Sequence, residues 1–223
     1  MKLSRGELKS AIIGMVMGDA SLGSKCKGRK NGTLQMSHCA KQLGYLEWKK
    51  EAILDQIVNS KITRNDKVTK DRVYEHYHLT TWMHPLFTRL YNRFYHFGHK
   101  CLDEYLVKMI TPLALAILYM DDGTFSKAGG RNESFFLCVQ SFDFANQMLL
   151  KKSLKIKFGL DWNIVKAQRS VKGHRLYRMR LYGRHNDDFI KIIKPYVDLI
   201  PCMHYKLSSY ASTSKDVDIV RPS

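Results

Sequence analysis

Two acidic residues stand at the ends of two similar apolar segments, 103 positions apart. Asp19 follows the apolar part of AIIGMVMGDASLG (residues 11–23), and Asp122 follows that of ALAILYMDDGTFS (residues 114–126). An unpaired carboxylate at the end of a buried helix costs free energy, so two at matching places indicate chemistry that needs a pair. Carboxylate oxygens are ligands that Mg²⁺ prefers, and a cation there would absorb charge during phosphodiester hydrolysis. The simpler alternative is that each aspartate only terminates its helix.

The overall charge points to a polyanionic partner. The 223 residues include 37 Lys plus Arg against 20 Asp plus Glu, a formal net charge of +17. No apolar run approaches the roughly 20 residues needed to cross a bilayer, so we expect no membrane span. The five cysteines lack close pairing and the N-terminus lacks a secretory pattern, which favours an intracellular, reducing compartment such as a bacterial or phage cytoplasm, a chloroplast or a mitochondrion.

The elements that must position the two acids occur twice in the same order. Ser4 and Glu7 form a capping-box pattern before the first apolar helix, and Thr111 with Pro112 marks the start of the second. Each acid is followed by a loop rich in glycine and basic residues, a strand, an amphipathic helix with a Lys-Lys pair, further strands and a last helical segment. This order predicts an α+β fold of two αββαββα repeats, with domains at 1–98 and 99–223.

One predicted strand of the second repeat has a basic face. In YRMRLY (residues 177–182) the apolar residues alternate with Arg178 and Arg180, and no acid occurs between Trp162 and Asn186. A two-stranded ribbon fits the DNA major groove, which predicts double-stranded DNA as the partner. A solvated basic face without a partner is the alternative. The predicted DNA contacts are Lys25, Lys27, Arg29, Lys30, Arg72, Tyr74, His76, His78, Lys127, Arg131, Lys166, Arg169, Lys172, Arg175, Arg178 and Arg180.

Four segments carry the most specific residues: GMVMGDASLG, TPLALAILYMDDGTF, VQSFDF and IPCMHYKL. Together they resemble the LAGLIDADG homing endonucleases in their single-chain, two-repeat form, of the I-SceI type, from about residue 8 to residue 207. The resemblance implies that the two motif helices pack at the domain interface and that each domain adds an antiparallel β saddle for DNA. It also implies a monomeric, Mg²⁺-dependent, intron-encoded endonuclease that makes a double-strand break at a long asymmetric site.

The resemblance assigns the metal positions residue by residue. Asp19 and Asp122 match the metal-binding acids, and Gly18 and Asp121 precede them as further positions at the metals. Two or three divalent ions would be shared between the two acids. Asp121 matches Gly18 of the first repeat, so Asp121→Gly is expected to keep most activity.

The remaining catalytic positions are glutamines and lysines. Gln35 and Gln140 match polar residues that adjoin the metals, and Lys206 matches the active-site lysine of the second half. Lys100 takes that place in the first half only with a one-residue gap, since direct alignment gives His99. The lysines would stabilise developing negative charge or orient water, and a plain phosphate clamp is nearly as well supported.

Two other functions remain open at this point. The same fold could serve an RNA maturase that assists splicing of its host intron, with intron RNA as partner. A non-catalytic DNA-binding regulator is the other alternative, although the intact acids of both repeats argue against it.

Overall fold

The computed structural model describes residues 2–23, 30–68, 73–128, 132–167, 176–207 and 210. In the first half the helices are α1 (Arg5–Met17), α2 (Leu43–Ala52), α3 (Pro85–Phe94) and α4 (Glu104–Lys108). The strands there are β1 (Ser21–Gly23), β2 (Thr33–Cys39), β3 (Ser60–Arg64), β4 (Lys67–Val68), β5 (Val73–Tyr74), β6 (His76–Thr81), β7 (Tyr95–His96) and β8 (His99–Lys100).

The second half repeats the order of the main elements, without counterparts of β4, β5, β7, β8 and α4 among its described residues. Its helices are α5 (Pro112–Asp122), α6 (Phe144–Phe158) and α7 (His185–Val197), and its strands are β9 (Gly123–Ala128), β10 (Asn132–Leu137), β11 (Asn163–Lys166) and β12 (Tyr177–Tyr182). Short 3₁₀ turns lie at Ala40–Gln42, Leu54–Gln56 and Pro201–Met203. The predicted α+β fold with two αββαββα repeats is confirmed.

Each repeat folds its main strands into one antiparallel sheet. The first sheet has the order β1-β2-β6-β3, and the second has the equivalent order β9-β10-β12-β11. Alternate residues of each sheet face the core, among them Leu34, Leu79 and Leu181, which are buried. The opposite residues form a more polar face, as the period of two in a β-strand requires. In β12, Met179 and Leu181 are buried whereas Arg178 and Arg180 are not, as the sequence predicts.

The capping residues set where the two central helices begin. The Ser4 hydroxyl accepts the Glu7 N–H at 3.3 Å, and the Glu7 carboxylate accepts the Ser4 N–H at 2.9 Å. Thr111 caps α5 by accepting the Ala114 N–H at 3.4 Å, with Pro112 at the first helical position. The start of α5 is joined to the middle of α1, because the Ser10 and Thr111 hydroxyls lie 2.8 Å apart. Both predicted caps are confirmed.

Helices α1 and α5 pack against each other at the centre of the molecule. Residues 10–17 of α1 and 113–120 of α5 are buried, so each helix is covered on all sides. They approach closely at Gly14, where an added Cβ would lie 2.6 Å from the Ala114 carbonyl oxygen. Within the described residues, no helix is long and apolar enough to cross a membrane.

Candidate active site

The two acids of the sequence prediction lie where the central helices end. Asp122 is the last residue of α5, and Asp19 lies two residues after α1 ends at Met17. The Asp19 side chain is 38% exposed, so this carboxylate reaches solvent at the surface. Each acid leads into the first strand of its own sheet. The hydrogen bond from the Asp19 N–H to Asp121 Oδ2 places both acids at the junction of the two repeats.

Each half contributes one lysine at an equivalent position. Lys100 Nζ donates to the Ala20 carbonyl at 3.0 Å, and Lys206 Nζ donates to the Gly123 carbonyl at 2.7 Å. Ala20 and Gly123 directly follow the two acids, so the two contacts correspond. The sequence left open whether Lys100 or His99 is the first-half equivalent of Lys206. The corresponding contacts favour Lys100, and the His99 side chain is exposed.

Lys100 makes further contacts at the end of α1. Its Nζ donates to the Val16 carbonyl at 2.8 Å and lies 3.4 Å from the Gly18 carbonyl. These groups are carbonyls without partners inside the helix, so a cation is favourable there. The Gly18 carbonyl, one of the predicted metal positions, thus lies beside an ammonium group.

The environment of the acids favours their protonated form when no cation is bound. Burial raises the pKa of Asp122 to about 7, and the charges of Asp19 and Asp121 act in the same direction. Burial, followed by the charge of Asp121, also raises the pKa of Asp19. Burial lowers the pKa values of Lys100 and Lys206, although the acids oppose this shift. Acids crowded together in this way favour a divalent cation, since a bound cation stabilises their ionised forms.

Asp121 differs from its two acidic neighbours. Its side chain is fully buried, and Oδ1 accepts a hydrogen bond from the equally buried Lys49 Nζ at 2.6 Å. Its Oδ2 accepts the Asp19 N–H at 3.3 Å. Gly18 leaves room for this side chain, since a Cβ there would lie 2.6 Å from the Asp121 Cβ. The glycine and the aspartate at matching motif positions are thus complementary in size.

His38 connects this pair to Asp19. Lys49 Nζ lies 3.1 Å from His38 Nε2, and His38 Nδ1 lies 3.1 Å from Gln42 Oε1 and 3.8 Å from Asp19 Oδ2. Burial, followed by the Lys49 charge, lowers the pKa of His38 to about 4, so the imidazole is neutral at pH 7. A neutral ring that accepts from Lys49 at Nε2 carries its proton on Nδ1.

The donor set of this region suits a divalent cation. Ligand atoms of Asp19, His38 and Asp121 lie within 4.8 Å of one another, and they form the one such group in the described part of the chain. Asp121 and His38 are already bonded to Lys49, which leaves Asp19 as the carboxylate of this group that faces solvent. Asp122 adds a second carboxylate whose charge interacts with that of Asp19. Oxygen donors of this type fit Mg²⁺ and similar ions.

The two predicted glutamines do not occupy equivalent places. Gln35 lies opposite Ser21, two residues after Asp19, and its side chain is on the exposed face of β2. The residue opposite Thr124, two residues after Asp122, is Phe136. Gln140 lies beyond the end of β10, where it hydrogen-bonds the Cys138 thiol. The two glutamines therefore lie at different register positions relative to their acids, and their role beside the metals stays a prediction.

The predicted DNA contacts that the structure describes lie mostly on the polar faces of the sheets and their ends. His78 is next to Ser37 and Thr63 on the first sheet, with Ser37 Oγ 2.8 Å from His78 Nδ1. Lys30, Lys127 and Lys166 are exposed, Tyr74 is 46% exposed and His76 is half-buried. Lys25, Lys27, Arg29, Arg72, Arg131, Arg169, Lys172 and Arg175 lie outside the described residues.

The polar face of the second sheet carries arginines over aromatic rings. The Arg178 guanidinium lies 3.9 Å from the centre of the Phe136 ring, and that of Arg180 lies 5.4 Å from the Tyr182 ring. Arg180 Nε also donates to Ser134 Oγ at 2.9 Å. Stacking and hydrogen bonding orient these two cations, which otherwise have many rotamers.

Lys49 and His38 escaped the sequence prediction. The Lys-Lys pair at 49 and 50 serves there only as a mark of the repeat. A signal was present, however, because Lys49 continues the buried stripe of Tyr45, Leu46 and Ile53 at helical spacing. A lysine in an apolar stripe requires a buried partner, but the partner is remote in sequence.

Comparison with known proteins agrees with this architecture. The chain is 28% identical to protein RecA of Mycobacterium gastri over 205 residues, which are 88% of the chain and 46% of that protein. The chain therefore spans about half the length of the RecA proteins that it resembles. It is 26% identical to the DNA endonuclease I-ChuI of Chlamydomonas applanata, with coverage of 90% of the chain and 94% of that protein. It is also 26% identical to the cytochrome b mRNA maturase bI2 of Debaryomyces hansenii, with 92% and 74% covered.

A solved structure shares the whole arrangement. The homing endonuclease I-WcaI, determined bound to its DNA recognition sequence, superposes with a TM-score of 0.77 at 26% identity, covering 93% of this chain and 88% of that one. A variant of the homing endonuclease I-DmoI, at 15% identity and a TM-score of 0.51, shares the fold. The model of the LAGLIDADG DNA endonuclease family matches residues 9–189. This match covers most of the two central helices, the acids at their ends and both sheets. The chain therefore belongs to the LAGLIDADG DNA endonuclease family.

Proposed function

We propose that this protein is a site-specific, Mg²⁺-dependent DNA endonuclease that hydrolyses one phosphodiester bond in each strand of a long asymmetric target. One observation carries the proposal. Two acids, Asp19 and Asp122, end the packed helices, and a lysine of each half binds the carbonyl that follows its acid. The family and the DNA-bound homing endonuclease I-WcaI support the same activity.

The residues at the helix ends would divide the chemistry between them. Asp19 and Asp122 would hold the divalent ions, which lower the pKa of bound water and offset charge on the phosphate. Lys100 and Lys206 are partly buried cations beside these acids, so they would attract the scissile phosphates and stabilise charge in the transition state. Gln35, exposed on the strand that pairs with Ser21, would hydrogen-bond water or DNA near the cut.

The two sheets would supply the binding surface. A row of side chains crosses the first sheet from Ser21 through Gln35 and Thr80 to Lys61. The equivalent row of the second sheet runs from Thr124 through Phe136 and Arg180 to Asn163. Each row begins two residues after an acid, so the duplex contacts would flank the cleavage site. Arginine recognises guanine with two hydrogen bonds, which suits Arg178 and Arg180 to base readout.

The decisive experiment selects cleaved sites from a randomised DNA library and then measures cutting of a plasmid that carries the selected site. The wild type should cut both strands with Mg²⁺. Asp19→Asn and Asp122→Asn should abolish cutting while keeping affinity for the site in Ca²⁺, because they remove metal ligands but leave the sheet surfaces intact. Asp198→Asn, which alters a surface pair with Lys194, is the matched control and should cut normally.

Full activity of both variants would contradict the two-carboxylate mechanism. Loss of site binding together with loss of cutting would show instead that the substitutions damage the fold.

The similarity to the maturase bI2 supports a second candidate, an RNA-binding protein that assists intron splicing. The basic surfaces of the sheets would also attract RNA. Competition between the selected DNA duplex and intron RNA separates the two candidates. A protein that binds the RNA tightly and cuts no DNA at any selected site would be a maturase and not an endonuclease.

A further inference from the structure

Asp121 and Lys49 form a buried ion pair that joins the two repeats. Lys49 belongs to α2 of the first repeat, and Asp121 belongs to α5 of the second. Their side chains are fully buried, and Nζ lies 2.6 Å from Oδ1. A buried pair of this kind contributes little net stability, because the desolvation cost offsets the attraction. Stability alone therefore does not account for this pair.

The contacts of Lys49 leave its ammonium group fully engaged. Nζ donates to Asp121 Oδ1, lies 3.1 Å from His38 Nε2 and stands 4.1 Å from the centre of the Tyr45 ring. An ammonium group has three donors, so these three partners satisfy it. Lys49 is thus held in one place and holds Asp121 in turn.

The second oxygen of Asp121 acts on the backbone of the candidate metal ligand. Oδ2 accepts the N–H of Asp19 at 3.3 Å, in the segment where α1 has ended and the chain turns toward β1. On either side, the Gly18 N–H still donates to the Gly14 carbonyl at 3.1 Å and the Ala20 N–H donates to the Met15 carbonyl at 2.8 Å. Between them, the Asp19 N–H donates to a side chain of the other repeat. From this geometry we propose that Lys49 and Asp121 are positioning residues, which fix Asp19 for metal binding, and that Asp121 itself does not bind the metal.

Two observations favour positioning over ligation by Asp121. Its two oxygens already accept hydrogen bonds from Lys49 and from Asp19, and its side chain has no exposed area. A metal ion at Oδ1 would also have to approach the Lys49 ammonium group closely, which like charges disfavour. The resident cation of this carboxylate is therefore Lys49.

In the described residues, the ion pair of Lys49 and Asp121 supports only one of the two acids. The position that matches Asp121 in the first repeat is Gly18, which provides the space for the Asp121 side chain. The second-repeat lysine of the Lys-Lys pair, Lys151, is partly exposed and lies 3.7 Å from Asp161 on the surface. Among the residues that the structure describes, Asp19 thus has a buried support from the opposite repeat that Asp122 lacks.

The test compares Lys49→Met with Lys151→Met, the matched lysine of the other repeat. Without metal, amide exchange at Asp19, followed by NMR, should be about tenfold faster or more in Lys49→Met, because Asp121 is no longer held in place to accept the Asp19 N–H. The Mg²⁺ concentration for half-maximal cleavage should rise by roughly the same factor, since both effects reflect the loss of that one contact. Lys151→Met should change neither quantity. The cleavage measurement rests on the proposed function, whereas the exchange measurement does not.

A second variant separates positioning from folding. Lys49→Met/Asp121→Val replaces the pair by apolar groups, which restores the melting temperature if the single variant lowers it. We expect the raised Mg²⁺ requirement and the fast exchange to persist, because the acceptor for the Asp19 N–H is gone.

Four results would overturn the proposal or assign the failure elsewhere. Wild-type exchange at Asp19 in Lys49→Met would show that the pair does not anchor this residue. A lowered Mg²⁺ requirement would show that the freed Asp121 is a ligand after all. Recovery of both the melting temperature and the Mg²⁺ requirement in the double variant would reduce the pair to a folding element. A wild type that cuts no DNA would refute the proposed function, and the exchange result would then decide the anchoring alone.

Discussion

At the scale of single residues, the raised pKa of Asp122 links stability to pH and to metal. In the folded protein the pKa of Asp122 is about 7, above its ordinary value of 3.8, so the folded chain binds this proton more tightly than the unfolded chain does. The stability that this group contributes is therefore complete below pH 4 or so and is lost as pH rises toward 7.

This linkage predicts the behaviour of Asp122→Asn without divalent ions. The variant should be more stable than the wild type, and its advantage should grow from about pH 4 to about pH 7 and then level off, since the asparagine has no proton to lose. Chemical denaturation at a series of pH values measures the difference. An advantage that stays constant over this range would contradict the raised pKa.

Mg²⁺ should remove the greater stability of Asp122→Asn over the wild type at high pH. A cation that binds the folded protein stabilises it by mass action, and it requires the ionised carboxylate. At pH 8 the wild type should therefore gain more stability from Mg²⁺ than Asp122→Asn does. Equal gains in the two proteins would show that Asp122 is not part of the metal site.

At the scale of elements, the contact between α1 and α5 depends on one glycine. An added Cβ at Gly14 would lie 2.6 Å from the Ala114 carbonyl oxygen and 2.9 Å from its Cα, both backbone atoms. The helices would have to move apart, which would also shift the acids at their ends. The resemblance implies that these helices pack together, but it does not show which residue allows their close contact.

Gly14→Ala should accordingly destabilise the protein by about 1–3 kcal/mol, the usual cost of overpacking a core. Gly44→Ala is the matched control within α2, where the nearest atom, Cys202 Sγ, would be 3.6 Å away. That change should be neutral or stabilising, because alanine favours the helix. Thermal unfolding compares the two, and a neutral Gly14→Ala would mean that the helices are packed less closely than described.

At the scale of the whole molecule, two unequal sheets on one chain predict how DNA is bound. The first sheet offers small polar side chains such as Thr63 and Thr80 beside Gln35, and the second offers Arg178 and Arg180 over aromatic rings. Each sheet would read a different half-site, so the target should be asymmetric and one chain should suffice for it.

We therefore expect one chain per duplex, which sedimentation of the complex measures directly. Binding should also weaken steeply with salt, with a log-log slope of roughly −0.9 for each phosphate that the basic surface neutralises. Two chains per duplex would refute the single-chain arrangement. A flat salt response would show that the +17 charge does not contact DNA.

The sequence determined the repeated architecture and the pair Asp19 and Asp122, because these depend on local signals. Caps, apolar periodicity and the order of elements are written in neighbouring residues, and a repeat displays them twice. For the same reason the sequence found Lys100 only to within one residue, since the gap before Thr111 has no local marker.

The tertiary structure decided what depends on residues distant in the chain. The pairing of Lys49 with Asp121 spans 72 positions and arises because α2 of the first repeat lies against α5 of the second. This contact changes the expectation for Asp121→Gly, which would leave a fully buried ammonium group without its carboxylate, at a cost of about 3–5 kcal/mol. The different places of Gln35 and Gln140 likewise depend on the tertiary structure, because strand register is set by pairing with β1 and β9 and not by spacing from the acids.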